Sequence, residues 1–210
     1  MSVEENASIF LTAIHVFNDR GLRYLVLRDV QERLPGNIDK KQDIDLLVHP
    51  DSSLALNEVL TSMGFRVKPF HGEYLYGMHA ACLYLLAGVV FHVFYELAVL
   101  SPEKSNPWVP LNASLQLSAW DNRTAYKEWF VLGPDDQFIN LILRGVFDKG
   151  GVFSDAYLRA LESLRPRVDM VRVEQLLSEV FFRFTPCMMK MIRNSQYTSM
   201  RKAYLSFEGY

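Results

Sequence analysis

Cysteine is scarce in this chain. Its 210 residues hold two, Cys82 and Cys187, far apart and without the spacing of a metal site. That pattern predicts reduced thiols in apolar surroundings, no disulfide, and a reducing, cytoplasmic setting. The five histidines, His15, His49, His71, His79 and His92, show no H-x₃-H or H-E-x-x-H spacing, which speaks against a zinc site. G-x-S-x-G and Walker patterns are both absent, so the sequence signals neither a nucleophile-elbow hydrolase nor a P-loop NTPase. Positive charge is not in excess: 22 Lys and Arg face 24 Asp and Glu, for a net charge of −2. A nucleic-acid partner, whose binding rests on phosphate neutralisation, is therefore disfavoured. The N-terminal MSVEENASIF is acidic and resembles no secretory or transit leader.

What is present is apolar. Half of the residues are hydrophobic and 22% are charged, enough for a compact core domain with a helical appendage. Residues Ala81 to Leu100 form an apolar run of membrane-spanning length. It holds His92 and Glu96, breaks at Gly88, and is rich in Val, Phe and Tyr. Two buried strands joined at Ala87-Gly88 account for it better than a membrane span.

Helical spacing of Ile9, Phe10, Ala13, Ile14 and Phe17 predicts a helix over 3–20, ended by Gly21. Tyr24 to Leu27 reads as a buried strand, residues 28–42 as a polar loop with a Pro35-Gly36-Asn37 turn, and 43–48 as a second strand. A helix over 52–63 and a strand over 65–69 follow, and the apolar hairpin of about 79–97 completes the predicted sheet. Beyond a Pro-rich stretch the character becomes helical, with Pro134, Asp135 and Asp136 opening a helix and further helices at 154–164, 168–182 and 186–194. The expected organisation is an α/β core over 1–100, a connector over 101–132 and a helical region over 133–210. The fold class is α+β, a small mixed sheet with flanking helices.

The chemistry concentrates at Asp43-Ile44-Asp45-Leu46-Leu47-Val48. Strand side chains alternate faces, so Asp43 and Asp45 are expected on one face, roughly 6–7 Å apart along the strand. Two carboxylates so placed repel unless a cation lies between them, and hard divalent ions with oxygen ligands are the usual solution. D-x-D alone also arises by chance on solvated turns. Here it opens an apolar strand, after a loop that begins at Arg28.

Tyr24-Leu25-Val26-Leu27-Arg28-Asp29, the Leu34-Pro35 loop and the Asp43–Val48 strand together resemble the core of the polymerase-β-type nucleotidyltransferase superfamily. More narrowly they resemble a bacterial nucleotidyltransferase-like family with a VLR…LP…DIDLLV pattern, and residues 141–149 resemble the helix after its sheet. The resemblance implies Mg²⁺ (or Mn²⁺) held by Asp43 and Asp45, an NTP substrate and a small-molecule acceptor. It also implies catalysis mostly by positioning and charge neutralisation. Arg28, Lys40 and Lys41 are the nearest candidate phosphate ligands, with solvated loop charge as the plain alternative for the two lysines.

The chain departs from the superfamily in two places. Arg28-Asp29 stand where a Gly-Ser pair is usual. The neighbouring strand, read as Phe91 to Leu97, carries Glu96 as the carboxylate available for a third ligand, sharing a face with His92 and Phe94. Glu96 at a strand end also has a purely structural reading, and His92 reads as a satisfied half-buried histidine. The leading expectation is nucleotidyl transfer from an NTP to a small hydroxyl or phosphate acceptor, with surface-polysaccharide assembly as a family-level association. A D-x-D glycosyltransferase using a nucleotide sugar, or a non-catalytic binding module, are the alternatives.

Asp148-Lys149-Gly150-Gly151 reads chiefly as helix-end chemistry, with Lys149 as a weaker phosphate candidate. Tyr74, Tyr76, Trp108, Trp120 and Trp129 read as core or rim, and Met188 to Met191 as a core-facing helix.

Overall fold

The computed structural model describes residues 2–27, 34–38, 43–69, 82–102 and 108–209. Two compact units emerge: residues Met1–Leu97 with Arg123–Leu132, and Ala98–Asn122 with Gly133–Tyr210.

The first unit is built on a seven-stranded mixed sheet. Its strands are β1 (Tyr24–Leu27), β2 (Ile44–Val48), β3 (Arg66–Pro69), β4 (Cys82–Leu86), β5 (Val89–Phe94), β8 (Thr124–Tyr126) and β9 (Trp129–Val131), in the order β3-β4-β5-β2-β1-β9-β8. β1 runs antiparallel to β2 and parallel to β9, while β2 runs parallel to β5. Helix α1 (Val3–Asp19) starts with a capping box in which the Ser2 hydroxyl accepts from the Glu5 N–H and Glu5 accepts from the Ser2 N–H. It ends at Gly21, whose φ of +63° is available to glycine at little cost. Phe10, Ala13, Ile14 and Phe17 recur at helical spacing and are fully buried.

One sheet face joins that stripe. Tyr24 and Val26, then Ile44, Leu46 and Val48, then Val89, Phe91 and Val93 alternate onto it, with Leu56, Val59 and Leu60 of α2 (Ser53–Ser62). Phe91 is the hub: its ring centroid lies 5.4 Å from Phe65 and 6.1 Å from both Phe10 and Phe17. The opposite face carries Leu25, Leu27, Asp45, Leu47, His92 and Phe94 by the same alternation.

The apolar run holds the two strands expected, β4 and β5, joined at Ala87-Gly88, and its last residues, Ala98–Leu100, form a further strand. No helix among the described residues is long and apolar enough to cross a membrane. The positive φ falls on Ala87, at +61°. Gly88 has a different reason to be glycine, because a Cβ there would stand 2.5 Å from the Asn6 side chain. Both cysteines are free, but Cys187 is exposed rather than set in apolar surroundings.

Two expectations need correcting. The hairpin does not complete the sheet, since β9 and β8 add to it beyond β1. The stretch read as a connector carries β7 (Trp108–Pro110), which pairs with β6 (Ala98–Leu100) at the end of the stretch read as core, and helix α3 (Ala113–Asp121), capped by the Asn112 side chain.

The second unit holds β6, β7, α3 and α4 (Pro134–Val146), α5 (Asp155–Leu164), α6 (Met170–Phe181), α7 (Thr185–Arg193) and α8 (Met200–Leu205). Met188 and Met189 are buried core residues of α7, as their spacing predicted. A polar knot, buried at Ser118 and Asp136, ties α3, α4 and α6. The Ser118 hydroxyl donates to Asp136 at 2.5 Å, Arg172 donates to the Ser118 oxygen at 2.9 Å, and the Asp169 N–H donates to Asp135 at 2.9 Å.

Burial raises the Asp136 pKa, with Asp135 adding, against the opposing effects of Ser118, Arg172 and Asn122. The folded state thus keeps a proton that the unfolded chain releases. That contribution to stability is complete below the ordinary carboxylate pKa and is lost as pH rises through the elevated one. Asp136→Asn, permanently neutral, is expected to gain stability relative to wild type as pH rises from 4 to 7. Melting temperatures of the two proteins across that range check it, and parallel pH profiles would refute it.

Candidate active site

The start of β2 and the end of β1 form the candidate site. Asp45 is directly opposite Leu27 of β1 on one side and His92 of β5 on the other. All three side chains therefore project from the same face, which places a carboxylate between an apolar residue and an imidazole. His92 Nδ1 stands 3.4 Å from Asp45 Oδ1, with the two side chains 11% and 21% exposed. The imidazole also packs on Phe94, with ring centroids 4.0 Å apart. Asp45 thus has a close neighbour, and His92 is buried rather than half-buried as the sequence suggested.

Asp43 immediately precedes β2 and is exposed. Protein atoms around its carboxyl thin its hydration and push its pKa above the usual carboxylate range; the charge of His92 opposes that shift and the charge of Asp45 adds to it. β2 begins at Ile44, so Asp43 stands just outside the strand whose alternation was expected to carry both acids.

The loop leading to Asp43 is anchored midway. Leu34 and Ile38 are buried in the core cluster at 7% and 3% exposure. The Lys127 ammonium donates to the Leu34 carbonyl at 2.8 Å, and the Asn6 amide donates to the Ile38 carbonyl at 3.2 Å. Apolar anchors and carbonyl clamps therefore fix the middle of a polar loop at the mouth of the site.

The other sequence candidates fare differently. Arg28, Lys40 and Lys41 lie outside the described residues, as do Tyr74, Tyr76, His71 and His79. β5 ends at Phe94, two residues before Glu96, so strand alternation does not extend to that carboxylate. Glu96 is half-buried, and its Oε2 is shielded with no hydrogen-bond partner among the described residues. No group of three His, Cys, Asp or Glu side chains that could hold a metal ion forms among the described residues. Sequence reasoning missed the Asp45–His92 pairing, because it depends on the register of two strands separated by a helix and a hairpin. The only hint was that both residues sit on short apolar strands.

No protein-family model matches the chain, and no curated protein matches it by sequence. Among solved structures it is similar to the antibiotic-resistance factor ANT(2″)-Ia. The solution structure of that protein gives a TM-score of 0.51 at 12% identity, covering 98% of this chain and 100% of the other. The crystal structure of ANT(2″)-Ia in complex with adenylyl-2″-tobramycin gives 0.49 at 9% identity, covering 90% and 98%. The first likeness is one of fold: a mixed sheet with flanking helices, followed by an α-helical region.

Proposed function

We propose that this protein is a divalent-metal-dependent nucleotidyltransferase that moves a nucleotidyl group from an NTP to a hydroxyl or phosphate of a small acceptor. Sugars and polyols of surface-polysaccharide assembly are one such acceptor class, and the setting proposed is the cytoplasm. The observation that carries the reading is the coupled pair Asp43 and Asp45 at the mouth of a sheet of nucleotidyltransferase type. Fold likeness supports it at the level of architecture, and a fold alone does not fix chemistry.

The donor set fits a hard cation. Asp43 and Asp45 offer anionic oxygens with mutual repulsion to relieve, and Mg²⁺ is commonly held by one or two carboxylates completed by substrate phosphates. Asp43 and Asp45 would hold the ion, with Glu96 proposed as a third carboxylate. When bound, it supplies neutralisation of the triphosphate and a lowered pKa for the acceptor hydroxyl. The chain's own contribution is positional. His92 limits the rotamers of Asp45, and Leu27 gives that carboxylate an apolar neighbour. Arg28, Lys40 and Lys41 are proposed to contact phosphate.

Calorimetric titration of an NTP panel, with and without Mg²⁺ or Mn²⁺, tests the site. Metal-dependent binding by wild type that disappears in the Asp43→Asn/Asp45→Asn double variant is the expected result. A well-folded wild type that binds no NTP would sink the reading and leave nucleotide sugars and protein partners to examine.

A further inference from the structure

Lys127 stands where glycine would fit the backbone better. Pairing of Tyr126 with Trp129 closes the β8–β9 hairpin on a two-residue turn, Lys127-Glu128. The Lys127 φ is +52°, in the left-handed region that favours Gly, Asn or Asp at such turns. A lysine there is held against its backbone preference, and an outlier of this kind directs attention to its side chain.

The turn is anchored on one side and reaches out on the other. The Asn18 amide of α1 donates to the Glu128 carbonyl at 2.8 Å, and His15 Nε2 stands 2.5 Å from Glu128 Oε2. Trp129 is nearly buried and meets the Phe10 ring of α1 edge-on, with centroids 5.3 Å apart. From that base the Lys127 ammonium donates to the Leu34 carbonyl at 2.8 Å. It lies 5.2 Å from the Tyr126 ring and 5.4 Å from that of Trp129, and no carboxylate among the described residues forms an ion pair with it.

Leu34 belongs to the connection between β1 and β2. A second clamp follows at Ile38, whose carbonyl accepts from the Asn6 amide at 3.2 Å. Asn6 is itself buried against Gly88, with no room for a Cβ between them. Only residues 39–43 then separate Ile38 from β2. Tying a long connection at interior points limits the chain entropy that opposes a fixed end, here Asp43.

We propose that Lys127 is a positioning residue for the acid pair. From the β8–β9 turn it fixes the β1–β2 connection at Leu34, and with Asn6 it presets Asp43 beside Asp45 for a metal-bound triphosphate. The inference rests on the function proposed above, and it gives a role in binding to a turn distant in sequence from both aspartates. Preset ligands need less ordering when substrate arrives, so loss of the clamp is felt as weaker binding. A lysine serving stability alone would behave differently, because glycine at this φ relieves strain while it removes the bond.

The chain contains a single Leu-Pro pair, Leu34-Pro35, so ¹³C-carbonyl leucine combined with ¹⁵N-proline isolates the Leu34 carbonyl in NMR spectra. In Lys127→Gly this resonance is expected to move upfield as the hydrogen bond is lost, with the melting temperature within about 2 °C of wild type. Calorimetric titration of ATP, CTP, GTP and UTP with Mg²⁺ should show affinity reduced about ten-fold for whichever nucleotide wild type binds. Lys127→Met, which keeps the turn strain and the apolar stem, should reproduce both losses. An unmoved Leu34 carbonyl overturns the proposal, as does wild-type nucleotide affinity in both variants. A glycine variant melting more than about 8 °C below wild type would make Lys127 a stability residue and overturn it too. A wild type that binds none of the four nucleotides is a different result: it defeats the nucleotidyltransferase function, and the Leu34 carbonyl alone then decides whether Lys127 fixes the connection.

Discussion

Asp148→Ala is expected to cost about 3–5 kcal/mol of stability and roughly 10 °C in melting temperature. The Asp148 side chain is 3% exposed and sits 3.0 Å from Arg144 Nη1, one helical turn back, on an arginine that is itself 13% exposed. Its other oxygen accepts the Leu100 N–H at 2.8 Å. One carboxylate therefore neutralises a buried guanidinium at the end of α4 and satisfies the backbone of β6. Removing it leaves a desolvated cation and an unmet amide donor, and stranding such a charge is the expensive way to break a buried pair. Replacing both partners, as Arg144→Met with Asp148→Leu, should recover most of the loss of the ion pair. Urea unfolding of the two variants is the check. An alanine variant within 1 kcal/mol of wild type, by the ordinary uncertainty of such measurements, would show that the pair is not what holds this turn.

Asp45→Asn is expected to cut nucleotidyl transfer at least about 100-fold while moving the melting temperature by no more than about 2 °C. The substitution keeps shape and removes a formal charge from a group only 21% exposed, so the effect falls on cation and phosphate handling rather than packing. A second signature accompanies it. The charge of Asp45 contributes to the raised pKa of Asp43, so its removal should lower the Asp43 titration toward the ordinary carboxylate range. Pyrophosphate release over a panel of hydroxylated acceptors reads the first effect, and carboxyl ¹³C NMR of Asp43 reads the second. Full transfer activity in the variant would remove Asp45 from the machinery. An unmoved Asp43 titration would mean that the two acids are not electrostatically coupled.

Legibility followed locality. α1 and α4 announce themselves through apolar spacing and an N-terminal cap or proline; α1 is found within a residue of its predicted bounds, and α4 starts at Pro134 as predicted. β1 is an unbroken apolar run, and β2 is an apolar run interrupted by Asp45. By contrast β8 and β9 have three residues each, too few to establish a period, and what makes β9 a strand is its parallel pairing with β1. α3 is obscured by Ser114, Gln116 and Ser118, and its signal is the Asn112 cap rather than an apolar stripe. At the site, the two aspartates were legible because their spacing is local. The His92 neighbour was not, since strand register brings it beside Asp45 from a distant part of the chain. Asp148 read as helix-end chemistry, and only burial reveals that it carries the charge balance of Arg144.

The sheet order also has a consequence for how the chain is made. Val26 meets Val131, and everything between Ala98 and Asn122 belongs to the other unit. A ribosome therefore delivers β1 and β2 long before it delivers β9. Until then one edge of β1 presents unmatched amides and carbonyls beside the apolar Leu25 and Val26, the arrangement that recruits strands from other chains. Slow translation of the intervening residues prolongs that exposure, and a chaperone that shields strand edges shortens its harm. The interval closes when residue 131 has left the exit tunnel and docked.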